Sequence, residues 1–139
     1  MKKKKKYELS CDACAKENCQ NFYKAVDYMK SNQFTKAFPI LEFLSVKGCP
    51  SALVNLGWMY KTGNGVEIDN GKAINFYLLA SQKGNNISMY NLAMCYANGD
   101  GVQKDVGKAF EWLQEASDNG NEKAEEILSN LECDDCRKI

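Results

Sequence analysis

The cysteines of this sequence could bind a metal, form disulfides or stay as unpaired thiols. The chain has seven cysteines, an odd number, so they cannot all pair with one another. Cys11 and Cys14 form a C-x-x-C pair near the start, and Cys133 and Cys136 form a second pair near the end. Two such pairs could supply four thiolates to a zinc ion. The two pairs are much farther apart in the sequence than the ligands of a compact zinc module, so bound zinc, disulfides and unpaired thiols all stay open.

The remaining residues give little indication of a catalytic site. Histidine is absent, which excludes histidine-based triads, HExxH zinc sites and histidine acid–base catalysis. The run Lys61-Thr62-Gly63 matches the KTG of serine β-lactamases, but the chain contains no Ser-x-x-Lys to accompany it. Asp69 and Asp105 are placed where they would cap helices. The sequence therefore predicts that the protein is not an enzyme and needs no cofactor, with zinc on the terminal cysteines as the alternative.

The charges are balanced overall but unevenly distributed. There are 18 basic and 18 acidic residues among 139, and five of the lysines stand together at positions 2–6. Such a run can bind nucleic acid or an anionic membrane, although a block of like charge is more typical of a solvated, disordered segment. No apolar run approaches the ~20 residues of a membrane span, and the residues after Lys6 are too polar for a signal peptide. The sequence predicts a soluble, cytoplasmic protein with reduced thiols, and binding to nucleic acid is not expected.

A 36-residue repeat organises the middle of the chain. A shift of 36 positions aligns thirteen identical residues within one ungapped stretch of 36 residues. They include Gly63 and Gly65, which align with Gly99 and Gly101. A fixed period of this length is typical of arrays of stacked helix pairs.

Each repeat is predicted to form two antiparallel helices. In the first copy, apolar residues recur every three or four positions over residues 52–61, and Asp69 stands where it would cap a second helix that ends at Gly84. The predicted inner faces consist of Leu53, Leu56, Gly57 and Tyr60 on the first helix and of Ala73, Phe76, Tyr77 and Ala80 on the second. A less regular pair over residues 17–29 and 35–47 precedes the repeats, and a last helix over 122–131 follows them. The predicted fold is all-α, a short α-solenoid of about seven helices.

The repeated segments resemble a known family. Residues 52–73, ALVNLGWMYKTGNGVEIDNGKA, and residues 89–109 are similar to the Sel1-like repeat, a relative of the tetratricopeptide repeat. The similarity is strong over 51–120 and partial over 17–50 and 121–132. We therefore divide the chain into a basic, cysteine-containing N-terminal tail (1–16), a repeat domain (17–132) and a C-terminal tail with a C-x-x-C pair (133–139). The resemblance implies stacked helix pairs and a role as a scaffold or adaptor in protein complexes.

Arrays of this type also imply a binding surface, because their first helices line a concave groove. The residues of the first helices that helix periodicity leaves outside the predicted core face include the seven candidate partner-binding residues: Val54, Asn55, Trp58, Lys61, Tyr90, Asn91 and Met94. Aromatic residues often dominate binding energy, and asparagine amides can hold an extended backbone. The alternative is that Trp58 and Met94 pack between repeats.

The predicted function is that of a scaffold that binds a protein or peptide on this concave face. The alternative function is a metal- or redox-linked assembly module that uses Cys11, Cys14, Cys133 and Cys136. The sequence predicts neither the partner nor the oligomeric state.

Overall fold

Seven α-helices follow one another along the chain. The computed structural model describes the backbone of residues 16–137 and the side chains of residues 18–131. The helices are α1 (Lys16–Lys30), α2 (Phe34–Val46), α3 (Pro50–Thr62), α4 (Asn70–Gln82), α5 (Asn86–Asn98), α6 (Val106–Asp118) and α7 (Glu122–Arg137). Residues 16–137 contain no β-strand, which confirms the all-α prediction. None of these helices combines the length and apolarity needed to cross a membrane.

The helices stack in chain order. Each helix packs mainly against the helix before it and the helix after it, and the closest pairs are α3 with α4 and α5 with α6. These two pairs correspond to the two copies of the 36-residue repeat. The fold is therefore the predicted short solenoid of antiparallel helix pairs, and we refer to α3 and α5 as first helices and to α4 and α6 as second helices.

Aspartates cap both second helices. The Asp69 carboxylate accepts a hydrogen bond from the backbone N–H of Lys72 at 3.0 Å, and Asp105 accepts one from Lys108 at 3.0 Å. Both aspartates have extended backbone, as an N-cap residue requires. The capping roles predicted from the sequence are confirmed.

The glycine turn within each helix pair contacts the helix that precedes the pair, which is α2 for the first turn and α4 for the second. Gly65 and Gly101 have positive φ angles of 79° and 74°. A β-carbon at Gly65 would lie 2.9 Å from Cβ of Phe34, and one at Gly101 would lie 2.7 Å from the backbone oxygen of Asn70. Glycine is needed at both positions because the turn has left-handed backbone and lies directly against the start of α2 or α4.

Three apolar clusters form the core along the array. The first joins α1, α2 and the start and inner face of α3, the second joins α3, α4 and α5, and the third joins α5, α6 and α7. Their fully buried larger members include Phe22, Met29, Leu41, Leu44, Leu56, Met59, Tyr77 and Leu92. The first helices α3 and α5 each contribute to two clusters. Each is therefore covered on two sides, which limits how many of its residues lie at the surface.

Two features of the fold differ from the sequence-based expectation. The last helix continues to Arg137 instead of ending at 131, so the backbone at Cys133 and Cys136 is helical. Tyr60 and Phe76, expected in the inner faces, are only half-buried and stack on each other with ring centroids 5.7 Å apart. They lie where the end of α3 meets α4, beside the core and not within it.

Candidate functional site

Four half-buried side chains occupy the accessible surface of the first helices. Trp58 and Lys61 lie on α3, and Tyr90 and Met94 lie on α5. Residues three or four apart on a helix share a face, so each pair projects from one side of its helix. Met94 also stands 36 residues after Trp58, which places the two side chains at the same position of consecutive repeats. We call these four residues, together with Lys123 of α7, the first-helix face.

Contacts between repeats place these residues side by side. The Lys61 ammonium lies 4.0 Å from a carboxylate oxygen of Asp100, in the turn that follows α5. The Lys123 ammonium lies 5.9 Å from the ring centroid of Tyr90. The end of α3 is thus close to the end of α5, and the start of α7 is close to the middle of α5. The first-helix face therefore includes residues of three helices, α3, α5 and α7, that these two contacts connect.

Trp58 belongs partly to this face and partly to the core. Its ring lies 5.7 Å from the ring of Phe34, centroid to centroid, and it packs against the first apolar cluster. Tyr90 and Met94 pack against the third cluster in the same partial way. Packing is thus observed for part of the Trp58 side chain, and contact with a partner stays a prediction for its exposed part.

Three of the candidate partner-binding residues do not lie on the accessible surface. Val54 and Asn55 are 0% exposed, and Asn91 is 8% exposed. Val54 packs in the second cluster with Leu92 and Cys95 of the next first helix. The sequence analysis assumed one buried face per helix and therefore placed these residues in a groove. In the structure, a first helix is covered on two sides by its neighbours in the array. The first-helix face therefore does not include these three residues.

The buried asparagines are internally satisfied. Within the described part of the chain, every buried side-chain nitrogen or oxygen has a hydrogen-bond partner. The amides of Asn55 and Asn91 are therefore engaged in the fold, because an unpaired buried amide would be costly. The sequence analysis predicted that these amides hold a partner's backbone, but Asn55 and Asn91 are both buried.

A lysine–tyrosine contact that the sequence analysis missed recurs in both repeats. The Lys72 ammonium lies 5.3 Å from the ring centroid of Tyr60, and the Lys108 ammonium lies 5.5 Å from that of Tyr96. Both residues of each pair are identical in the two copies, and that recurrence was the available signal. Such contacts contribute about 0.5–1 kcal/mol at exposed sites. We assign them to the joining of each first helix to its second helix.

Two buried titratable groups lie next to each other in the second cluster. Burial raises the pKa of the Cys95 thiol, while Lys61 lowers it and Asp100 raises it to smaller extents. Burial, and to a lesser degree Cys95, raises the pKa of Tyr77 far above its ordinary value. Both groups are therefore protonated at neutral pH, and a protonated, buried thiol is a poor nucleophile.

The cysteines of the predicted zinc site lie at the ends of the described structure. Cys11 and Cys14 lie outside the described residues, and the side chains of Cys133 and Cys136 also lie outside them. Within residues 18–131, no three histidine, cysteine or acidic side chains come together as metal ligands would. The zinc site stays a prediction from the sequence.

Comparison with protein-family models identifies the repeat. The model of the Sel1 repeat matches residues 50–85 and again residues 86–121, and the two matches cover more than half of the chain. Their boundaries coincide with the α3–α4 and α5–α6 pairs and the loops that follow them. No curated protein matches the chain in sequence.

Solved structures with the same arrangement of helices come from several bacteria. A protective antigen of uropathogenic Escherichia coli with an SLR fold superposes with a TM-score of 0.72 at 29% identity, over 77% of this chain and 24% of that chain. A Sel1 repeat protein from Oxalobacter formigenes gives 0.73 at 27% identity, over 78% of this chain and 44% of that chain. The chain thus spans less than half the length of either protein.

A third structure is similar in fold alone. The cysteine rich protein B of Helicobacter pylori superposes with a TM-score of 0.65 at 21% identity, over 81% of this chain and 95% of that chain. At this identity only the stacking of helix pairs is comparable.

Proposed function

The chain belongs to the Sel1 repeat family, whose members generally mediate protein–protein interactions, and on that premise we propose that it binds a segment of a partner protein on the first-helix face. The observation that supports this proposal most is that Trp58, Tyr90 and Met94, on the first helices of consecutive repeats, are all half-buried. Tryptophan, tyrosine and methionine are enriched at protein interfaces, where tryptophan and tyrosine often contribute most of the binding energy.

The lysines of the face favour a particular partner chemistry. Lys61 and Lys123 belong to the same face as the apolar side chains, and each already contacts a half-buried group, Asp100 or Tyr90. An exposed ion pair contributes less than about 1 kcal/mol, so a partner carboxylate can replace Asp100 at little cost. The face is therefore suited to a partner segment in which an apolar side chain stands beside an acidic residue.

Affinity capture with matched variants tests the proposal. The wild-type chain and the Tyr90→Ala/Met94→Ala variant are used as bait in extracts of the source cells, and the captured proteins are compared by quantitative mass spectrometry. Tyr90 and Met94 are chosen over Trp58 because Trp58 also packs on Phe34. We expect at least one protein to be enriched by the wild type and lost with the variant.

The control variant removes apolar surface elsewhere. Phe43 and Leu79 are 51% and 46% exposed, and they lie on second helices or their equivalent, outside the first-helix face. Phe43→Ala/Leu79→Ala should capture the same partner as the wild type. A partner that is lost equally with both double variants, or with neither, would contradict binding at the first-helix face.

A further inference from the structure

A separate groove lies between the second helices α4 and α6. It encloses about 750 Å³ and is lined by Ser81 and Gln82 of α4, by residues of α5 and by much of α6. Met89 is almost completely buried, and Tyr96 and Trp112 are half-buried, so these three side chains form an apolar floor. We call this site the second-helix groove. It shares no residue with the first-helix face.

Three carboxylates stand at the edge of the second-helix groove. Glu111, Glu115 and Asp118 line it from α6, all three are exposed, and their spacing of four and three residues puts them on one face of the helix. None of them forms an ion pair with another described residue. Lys108 is the single cation among the lining residues, and its ammonium lies over the Tyr96 ring.

The first repeat lacks this acidic edge. The residues 36 positions earlier are Asn75, Leu79 and Gln82, none of which is charged. The helix pair α3–α4 therefore folds in the same way without the carboxylates. Glu111, Glu115 and Asp118 are consequently not required by the repeat fold, and a role outside folding is open to them.

We propose that the second-helix groove binds a lysine- or arginine-rich segment of a partner protein that inserts an apolar side chain against Trp112 and Tyr96. The three carboxylates complement the positive charges, and the electron-rich face of Trp112 attracts cations as well as apolar groups. A segment with an apolar side chain should bind more tightly than polylysine, because burial of that side chain on the apolar floor adds affinity that charge does not supply.

A model peptide tests the proposal on the full chain. The probe is a fluorescein-labelled lysine-rich peptide with leucines at positions i and i+4, and its binding is followed by fluorescence anisotropy at low salt. A second peptide with alanine in place of both leucines serves as the charge-matched probe. We expect the leucine-containing peptide to bind about tenfold more tightly, because the leucine side chains lose apolar surface to water when they enter the groove.

Two triple variants with the same net charge locate the site. Glu111→Gln/Glu115→Gln/Asp118→Asn neutralises the groove, and Asp27→Asn/Glu67→Gln/Glu125→Gln neutralises three exposed acids elsewhere. Because exposed charges act mainly on nearby partners, the groove variant should bind the leucine peptide about tenfold more weakly and the control variant within about twofold of the wild type. Circular dichroism verifies that both variants are folded.

The outcomes separate the proposal from general charge attraction. Equal weakening by both triple variants, equal affinity for the two peptides, or no binding to the wild type would each overturn it. Selective weakening by the groove variant together with a preference for leucine would support it.

Discussion

The repeats at 50–85 and 86–121 have the same backbone plan but different side chains in their cores. Their aspartate caps, glycine turns and lysine–tyrosine contacts are equivalent. In the first repeat, Gly57 lies against Tyr77, and a β-carbon at Gly57 would lie 2.6 Å from the tyrosine ring. In the second repeat, the equivalent residues are Ala93 and Leu113, both buried. Compared with the first repeat, the second repeat thus has a larger residue on its first helix, Ala93, and a smaller residue on its second helix, Leu113.

The surfaces of the two repeats differ more than their cores. On the first helices, Trp58 of one repeat corresponds to Met94 of the other. On the second helices, three uncharged residues of the first repeat correspond to three carboxylates of the second. Positions that fix the backbone are the same in both repeats, whereas Trp58, Met94 and the three carboxylates of α6 stand at positions where the repeats differ.

The largest expected effect concerns a shared turn. Gly101→Ala should lower the free energy of unfolding by about 3 kcal/mol or more, because the new methyl group meets the backbone of Asn70 in addition to the strain of positive φ. Gly84 is the matched control: its φ is +86°, but nothing lies within 4 Å of the added carbon. Gly84→Ala should cost only about 1–2 kcal/mol. Equal losses in denaturant unfolding would show that the turn does not pack against α4.

The core difference should appear as coupling between two positions. Gly57→Ala should destabilise the chain by about 1–3 kcal/mol, because its methyl group overlaps the Tyr77 ring. The Gly57→Ala/Tyr77→Leu variant recreates the pair found in the second repeat. Its loss of stability should be smaller than the sum of the single losses by about 1 kcal/mol or more. Additive losses would mean that the two residues are not matched in volume.

The caps should make equal contributions in both repeats. Asp69→Ala and Asp105→Ala should each cost about 1 kcal/mol, because each removes a hydrogen bond from the first turn of a second helix. Gln33 holds the equivalent position before α2 and makes no such bond. Gln33→Ala should therefore leave the thermal melting temperature nearly unchanged. A loss at Gln33 as large as at Asp69 would argue that the aspartates act in some other way.

The smallest expected effect is a pH dependence specific to the second repeat. Cys95 replaces Met59 of the first repeat, and burial raises the pKa of its thiol. An unfolded cysteine ionises near pH ~8.5 while the folded one stays protonated, so the stability it contributes is present below that pH and is lost as the pH rises above it. Cys95→Ala should reduce the fall in the free energy of unfolding between pH 8 and pH 10. An identical fall in wild type and variant would assign it to other groups.

The sequence predicted the plan of the fold because its signals are local. Glycine pairs, aspartate caps and apolar periodicity are set by residues within one or two helical turns, and they located the bounds of α3 and α4 within about two residues. The predicted start of α3 is two residues late because the N-cap residue is Cys49, which is not one of the residue types that mark an N-cap and does not cap the helix through its side chain.

The candidate surfaces depended on contacts that no local pattern contains. Val54 and Asn55 are buried by the neighbouring repeat, and a single helix examined alone gives no indication of this second cover. The second-helix groove was missed because it requires α4 and α6 to lie side by side. Comparison of Glu111, Glu115 and Asp118 with their uncharged equivalents was the signal in the sequence that could have indicated it.

The methionine side chains offer a direct test of where a partner binds. Met94 lies on the first-helix face, Met89 on the floor of the second-helix groove, and Met29 and Met59 are buried at 2% and 0% exposure. In the spectrum of a chain labelled with ¹³C at its methionine methyl groups, addition of the purified, captured partner should shift or broaden the Met94 signal and leave those of Met29 and Met59 in place. A Met94 signal that is unchanged when an independent isotherm shows the partner to be bound would contradict binding at the first-helix face.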